Sequence, residues 1–196
     1  FENHLIMAKD NSMPIFLHER NAHLDFISLL KKYTNDIDKA VVHCFTGEKN
    51  HLKAQFNLGT IFLEDNQEYR DIRTSIKWFS LAAKKDMPEA QYNLGSIHFE
   101  GIGVTQNFKS AFYWYKLSAE QGFSQAQNRL SFLYYNGLGV EKNFILAHLW
   151  SNLASALGHE DSIKFREIIE QKMTLNEIKE AQSLSMQCLS NLYKNC

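Results

Sequence analysis

From about residue 51 onward, apolar and small residues recur with a helical period, and the pattern itself repeats. The strings KAQFNLGTIF, EAQYNLGSIHF and QAQNRLSFLYY place Ala54, Ala90 and Ala126 at intervals of 36 residues. Leu58, Leu94 and Leu130 follow at the same interval, with Gly59, Gly95 and Ser131 beside them. Trp78, Trp114 and Trp150 keep step, as do Ala83, Ala119 and Ser155, and Asp86, Gly122 and Gly158. So many independent markers in one register define an internal repeat. Within a unit, Ala90, Leu94, Ile97 and His98 stand at offsets of 0, 4, 7 and 8, one face of a helix. Ala111, Trp114, Tyr115, Ser118 and Ala119 outline a second helix, with the three tryptophans expected in the core. Small residues on the first helix let its neighbour approach closely.

The connections EGIGV (100–104) and NGLGV (136–140) offer two glycines for a turn with positive φ, then a valine that staples it. The second helix is expected to close at Gly122 or Gly158, a position that suits glycine. The first unit departs from this: its turn is EDNQE (64–68), and Asp86 stands where the glycine would be. A lone helical hairpin buries too little surface, whereas stacked hairpins share a continuous core. The expected architecture is mainly α: a solenoid of three helix-turn-helix repeats at about 51–87, 88–123 and 124–159. Capping helices are expected over 160–196, where Ile163, Phe165, Ile168, Ile169 and Met173 make one amphipathic helix. Thr174 and Glu177 then form a capping box, followed by Ile178, Ala181, Leu184, Cys188 and Leu192 on one stripe, with Cys188 as a packing residue.

Residues 1–50 do not share the period. Met13 to His18 and Lys39 to Phe45 are short apolar runs, and Ala22, Phe26, Ile27, Leu29 and Leu30 between them suit a helix. Strand, helix, strand is a parallel βαβ unit. Two strands alone leave open edges. The segments 13–18 and 40–45 are therefore expected to dock on the first repeat, pair with another copy of the chain, or stay partly disordered.

Composition narrows the function classes. The chain has 196 residues with 21 Lys plus Arg against 22 Asp plus Glu, a formal charge of −1. No cation excess is available to displace phosphate counterions, which argues against a nucleic-acid partner. No apolar run approaches the ~18–20 residues of a membrane span. Three widely separated cysteines (Cys44, Cys188, Cys196) make neither a disulfide framework nor a zinc signature, and favour a reducing, cytoplasmic setting. The chain opens on Phe1 rather than Met, which leaves room for a removed signal upstream.

Two families are suggested by the motifs. The pattern of alanines, Leu-Gly pairs, GxGV turns and tryptophans resembles the SEL-one-like repeat, a tetratricopeptide-related family, over about 51–158. The resemblance implies a right-handed α-solenoid that scaffolds protein complexes without chemistry of its own. MPIFLHERNAH (13–23) and VVHCFTGE (41–48) resemble the TatD family of metal-dependent deoxyribonucleases, which are TIM-type barrels. That resemblance implies that His18 and His43 correspond to ligands of a catalytic divalent metal such as Mg²⁺. Asn21 stands where that family usually has Asp, and only two of eight barrel strands are represented. The family's opening H-x-H strand, bridging Glu and late Asp ligand have no match, and helical repeats begin where later strands would follow. GEKNHLKAQFNLG (47–59) reads equally as the helix after a TatD strand or as the first repeat helix.

The expected function is thus a protein-interaction scaffold, with a TatD-like hydrolase as the alternative and no cofactor required by the first reading. Phe56, Tyr92, Phe99, Phe132 and Tyr135 lie off the buried arc of the first helices. In such solenoids those helices line the concave face, so the five aromatics are candidates for binding a protein or peptide partner. Their other reading is packing between neighbouring first helices. His98 reads as a packed residue, and the GIG and GLG runs lack the strand and spacing of a nucleotide loop.

Overall fold

The computed structural model describes residues 56–60, 63, 71–193 and 196. The segment expected to hold two strands, with His18 and His43, lies outside these residues. All regular structure among the described residues is helical. The chain divides into two units, 1–85 and 86–196.

In the first unit residues 56–60 are helical, and helix α1 spans Ile72–Ala83. Asp71 caps α1, its carboxylate accepting from the Thr74 N–H at 3.2 Å. Phe79 is fully buried, with the Phe56 ring 5.7 Å away. A Cβ on Gly59 would stand 2.6 Å from the Phe79 ring, so glycine there is what admits the aromatic. Ser75 completes the contact by donating to the Gly59 carbonyl at 2.7 Å.

The second unit contains α2 (Pro88–Glu100), α3 (Phe108–Ala119), α4 (Ser124–Asn136), α5 (Phe144–Ala156), α6 (Glu160–Glu170) and α7 (Leu175–Ser190). Helices α2 and α3 form one hairpin and α4 and α5 the next; α3 packs on α4, and both α6 and α7 pack on α5. Local chemistry sets the boundaries. Asn107 and Asn143 cap α3 and α5 through their side chains, and Pro88 occupies the first turn of α2. With Asp71 these caps repeat every 36 residues, in step with the other markers of the repeat. Gly137 ends α4 with φ 72°, and its N–H returns to the Leu133 carbonyl at 2.9 Å. Gly139, also at φ 72°, has a second constraint: a Cβ there would strike the Phe108 carbonyl at the start of α3. Gly139 thus joins the α4–α5 hairpin to the one before it.

The core of this unit comprises Ala111, Tyr115, Ala119, Leu130, Leu133, Leu149, Trp150, Leu153 and Cys188. Tyr115 on α3 lies over Gly95 on α2 as Phe79 lies over Gly59, with 2.6 Å from ring to a Cβ built at Gly95. In the third repeat both partners change together. Ser131 replaces the glycine and donates to the Ala147 carbonyl at 2.6 Å, while Ser151 replaces the aromatic and donates to the Ser162 carbonyl at 2.7 Å. A larger residue on one helix is tolerated where the facing one shrinks.

Burial raises the Tyr115 hydroxyl pKa to about 12, against the opposing pull of its 3.0 Å hydrogen bond with Ser96. The folded chain therefore holds a proton that the unfolded chain releases near pH ~10. Stability should be level below pH ~10 and fall by about 2–3 kcal/mol as the pH rises to about 12. Urea titrations across that range should show the loss in the wild type and a flatter profile in Tyr115→Phe; parallel profiles would refute the assignment.

Four expectations are corrected. Only Trp150 is in the core, at 1% exposure, while Trp78 and Trp114 are half-buried. The reason in the second unit is an extra neighbour: α5 packs on α4, α6 and α7, whereas α3 packs on α2 and α4. Cys188 is buried as expected but is joined to Cys196 by a disulfide. Cystines persist in oxidising compartments, so the cysteines no longer argue for a reducing one. Finally, the proposed α6 stripe is divided: Ile169 is buried, but Ile163 and Ile168 are exposed. Leu192 falls beyond the end of α7 with φ 52° and is also exposed, whereas the Thr174–Glu177 capping box forms as read. No helix among the described residues is long and apolar enough to cross a membrane.

Candidate functional site

Helix α4 is the first helix of the third repeat and α6 the first of the helices that follow the repeats, and between them lies a groove of ≈ 300 Å³. Asn128, Arg129 and Phe132 line it from α4; Asp161, Lys164, Phe165 and Ile168 line it from α6. The spacings, 128/129/132 and 161/164/165/168, each place their residues on one helix face. Register between the helices is held by Ser162, whose buried hydroxyl donates to Asn128 Oδ1 at 2.9 Å. One end of the groove is consequently polar, with Asn128, Arg129, Asp161 and Lys164, and the other apolar.

The apolar floor belongs to a longer row of rings. Phe99 of α2, Phe132 of α4 and Phe165 of α6 are linked by centroid distances of 6.0 and 6.2 Å. Tyr135 stands 5.4 Å from Phe165 and 5.4 Å from Phe144. Arg129 lies over the Phe99 ring, 5.9 Å from its centroid. Burial weighs against the guanidinium's charge, but its hydrogen bond to Tyr92 and the nearby Glu100 carboxylate raise its pKa above the ordinary value. Lys164 is exposed, and neither cation forms an ion pair among the described residues.

Of the five aromatics singled out from the sequence, Phe56 lies in the first unit against Phe79. The other four are in the second unit and half-buried. Tyr92 contacts Tyr115 and Phe123 at 5.6 and 5.4 Å, Phe132 and Tyr135 meet Phe165, and Phe99 meets Phe132. Asn128, Arg129, Asp161, Lys164, Phe165 and Ile168 were not anticipated. A signal existed: Phe99, Phe132 and Phe165 are spaced by 33 residues, a second period beside the 36. It is masked in the sequence because Phe165 and Ile168 also fit the apolar face of an amphipathic helix.

Other polar groups serve the packing. His148 is fully buried and its Nε2 lies 2.9 Å from Glu170 Oε1, which ties α5 to α6. His98 has its pKa lowered by burial, and its Nδ1 has no protein partner. Among the described residues no three His, Cys, Asp or Glu side chains are grouped to hold a metal ion; His18 and His43 lie outside those residues.

Comparison with known proteins follows the same division of the chain. Residues 1–63 match the TatD related DNase family. The chain is 50% identical over 52 residues to the 3'-5' ssDNA/RNA exonuclease TatD of Pectobacterium carotovorum subsp. carotovorum (strain PC1), covering 26% of this chain and 20% of that protein. With the TatD of Yersinia pseudotuberculosis serotype O:3 (strain YPIII) it shares 48% over 59 residues, 30% of this chain and 23% of the other. The chain thus spans about a fifth of the length of the curated relatives it matches. Among solved structures, a protective antigen of uropathogenic Escherichia coli strains displaying an SLR fold is 28% identical, with a TM-score of 0.70, over 98% of this chain and 38% of that one. A Sel1 repeat protein from Oxalobacter formigenes is 30% identical, with a TM-score of 0.55, over 74% of this chain and 98% of that one. Three Sel1 repeats match at 52–87, 88–123 and 124–159, the first overlapping the TatD match over 52–63. With these repeats covering more than half of its length, the chain belongs to the Sel1 repeat family.

Proposed function

We propose that this chain is a protein-interaction scaffold whose first-helix face, the concave face expected of such arrays, holds a segment of a partner protein. The observation that carries this reading is the groove between α4 and α6, where half-buried rings and an unpaired Lys164 occur together. Half-covered aromatics on rigid helices are suited to partner binding, because they desolvate a large area while losing little side-chain freedom. Residues 1–50, read from the sequence as strand, helix, strand, add a proposed route to self-association, and no step of catalysis is assigned to the chain.

A second reading rests on the match of residues 1–63: a TatD-like hydrolase in which His18 and His43 would help to hold Mg²⁺ or a similar ion. A two-metal hydrolytic site needs several ligands in fixed geometry, and Sel1 repeats occupy 52–159 of this chain. We therefore place it second. The two separate in one experiment with the full chain. Affinity capture should retain proteins that are lost from a Phe132→Ser/Phe165→Ser variant of unchanged helicity. The same preparation, given Mg²⁺ or Mn²⁺, should cleave single-stranded DNA no faster than its His18→Ala/His43→Ala variant. Metal-dependent cleavage removed by those two substitutions would overturn the scaffold reading.

A further inference from the structure

Resting on the scaffold reading, we infer that the α4–α6 groove takes an acidic–apolar segment: an extended stretch of partner protein carrying Asp or Glu within a few residues of Phe, Leu or Ile. Two cations, Arg129 and Lys164, and one carboxylate, Asp161, line the groove, with the Glu100 carboxylate near Arg129 outside its lining. Neither cation is neutralised by an ion pair among the described residues. Arg129 is also half-buried and held over the Phe99 ring, so little ordering remains when it meets an anion. A carboxylate at the polar end would thus lie between a fixed guanidinium and a mobile ammonium, in a site already partly dehydrated by the rings.

The apolar end specifies the second element. Phe132, Phe165 and Ile168 line it, and Ile168 is 46% exposed although it is a large aliphatic side chain on an ordered helix. An aromatic or aliphatic side chain of the partner would cover it. The row Phe99–Phe132–Phe165 crosses three helices, a line that suits a passing chain better than a compact small molecule. A basic segment would bring its cations against Arg129 and Lys164, with Asp161 as the one carboxylate lining the groove. Nucleic acid would meet Asp161 on a chain whose overall charge is −1.

The test is a random twelve-residue peptide library displayed on phage and selected on the full chain. Enriched peptides should carry Asp or Glu within about four residues of Phe, Leu or Ile. A fluorescein-labelled peptide of that enriched sequence should bind Arg129→Glu/Lys164→Glu about ten-fold or more weakly, and wild type less well as salt rises. Lys164→Glu alone, at an exposed position, should keep the wild-type melting temperature. It should favour the same peptide with its acidic residues changed to Lys. Enrichment of basic or uncharged peptides, or equal binding by wild type and the charge-reversed variants, would overturn this inference and leave the scaffold reading standing. No enrichment above the library background would overturn both.

Discussion

Trp150→Ala should destabilise the second unit by about 3–5 kcal/mol, the range for truncating a large buried aromatic. Trp114→Ala, at the equivalent position one repeat earlier, should cost about 1 kcal/mol, because a half-buried ring forfeits less transfer energy and leaves an opening that water fills. The contrast tests whether α7 acts as the cap of the array. Trp150 is 1% exposed and shares its buried cluster with Cys188 of α7. Urea denaturation followed by far-ultraviolet circular dichroism measures both variants without relying on tryptophan emission. Similar losses in the two would mean that α7 does not cover α5 as described.

Gly139→Ala is the second large effect. At φ 72° an alanine is strained by about 1–2 kcal/mol, and its Cβ would also strike the Phe108 carbonyl, a backbone group that cannot rotate aside. The combined loss should reach about 3 kcal/mol or more, since relief requires the two hairpins to part. Gly158→Ala isolates the first contribution: its φ is 83°, and nothing lies within 4 Å of a Cβ there. That variant should lose only about 1–2 kcal/mol. Thermal unfolding of the pair reads the difference directly, and equal shifts in Tm would show that the turn does not press on the preceding hairpin.

Both predictions start from positions that were visible in the sequence, and both depend on something that was not. Gly139 was read as a turn residue, correctly, from the GxGV pattern and its positive φ. Its contact with Phe108 joins residues 31 apart, and no local pattern encodes that. Likewise Gly95 and Ser131 were recognised as small residues on a helix face, but not that Tyr115 and Ser151 vary with them across the hairpin. The five aromatics are legible from their place off the buried arc of the first helices, whereas the role of Arg129, Lys164 and Phe165 exists only where α4 and α6 lie side by side. The Cys188–Cys196 disulfide was missed for a related reason. Spacing to a chain terminus carries no signature, and only the return of the tail beyond α7 brings the sulfurs together.

By itself, the sequence determined the repeat, its helical hairpins, their turns and the Thr174 capping box, because these follow from hydrogen bonds and side-chain spacings within a few residues. It also identified both family resemblances, which rest on short contiguous motifs. Only the tertiary structure decided which of three equivalent tryptophans is core, which face of α6 stays uncovered, and where the Arg129 and Lys164 cations meet half-buried rings. Burial is a property of neighbours: identical repeat positions differ once α7 covers one of them.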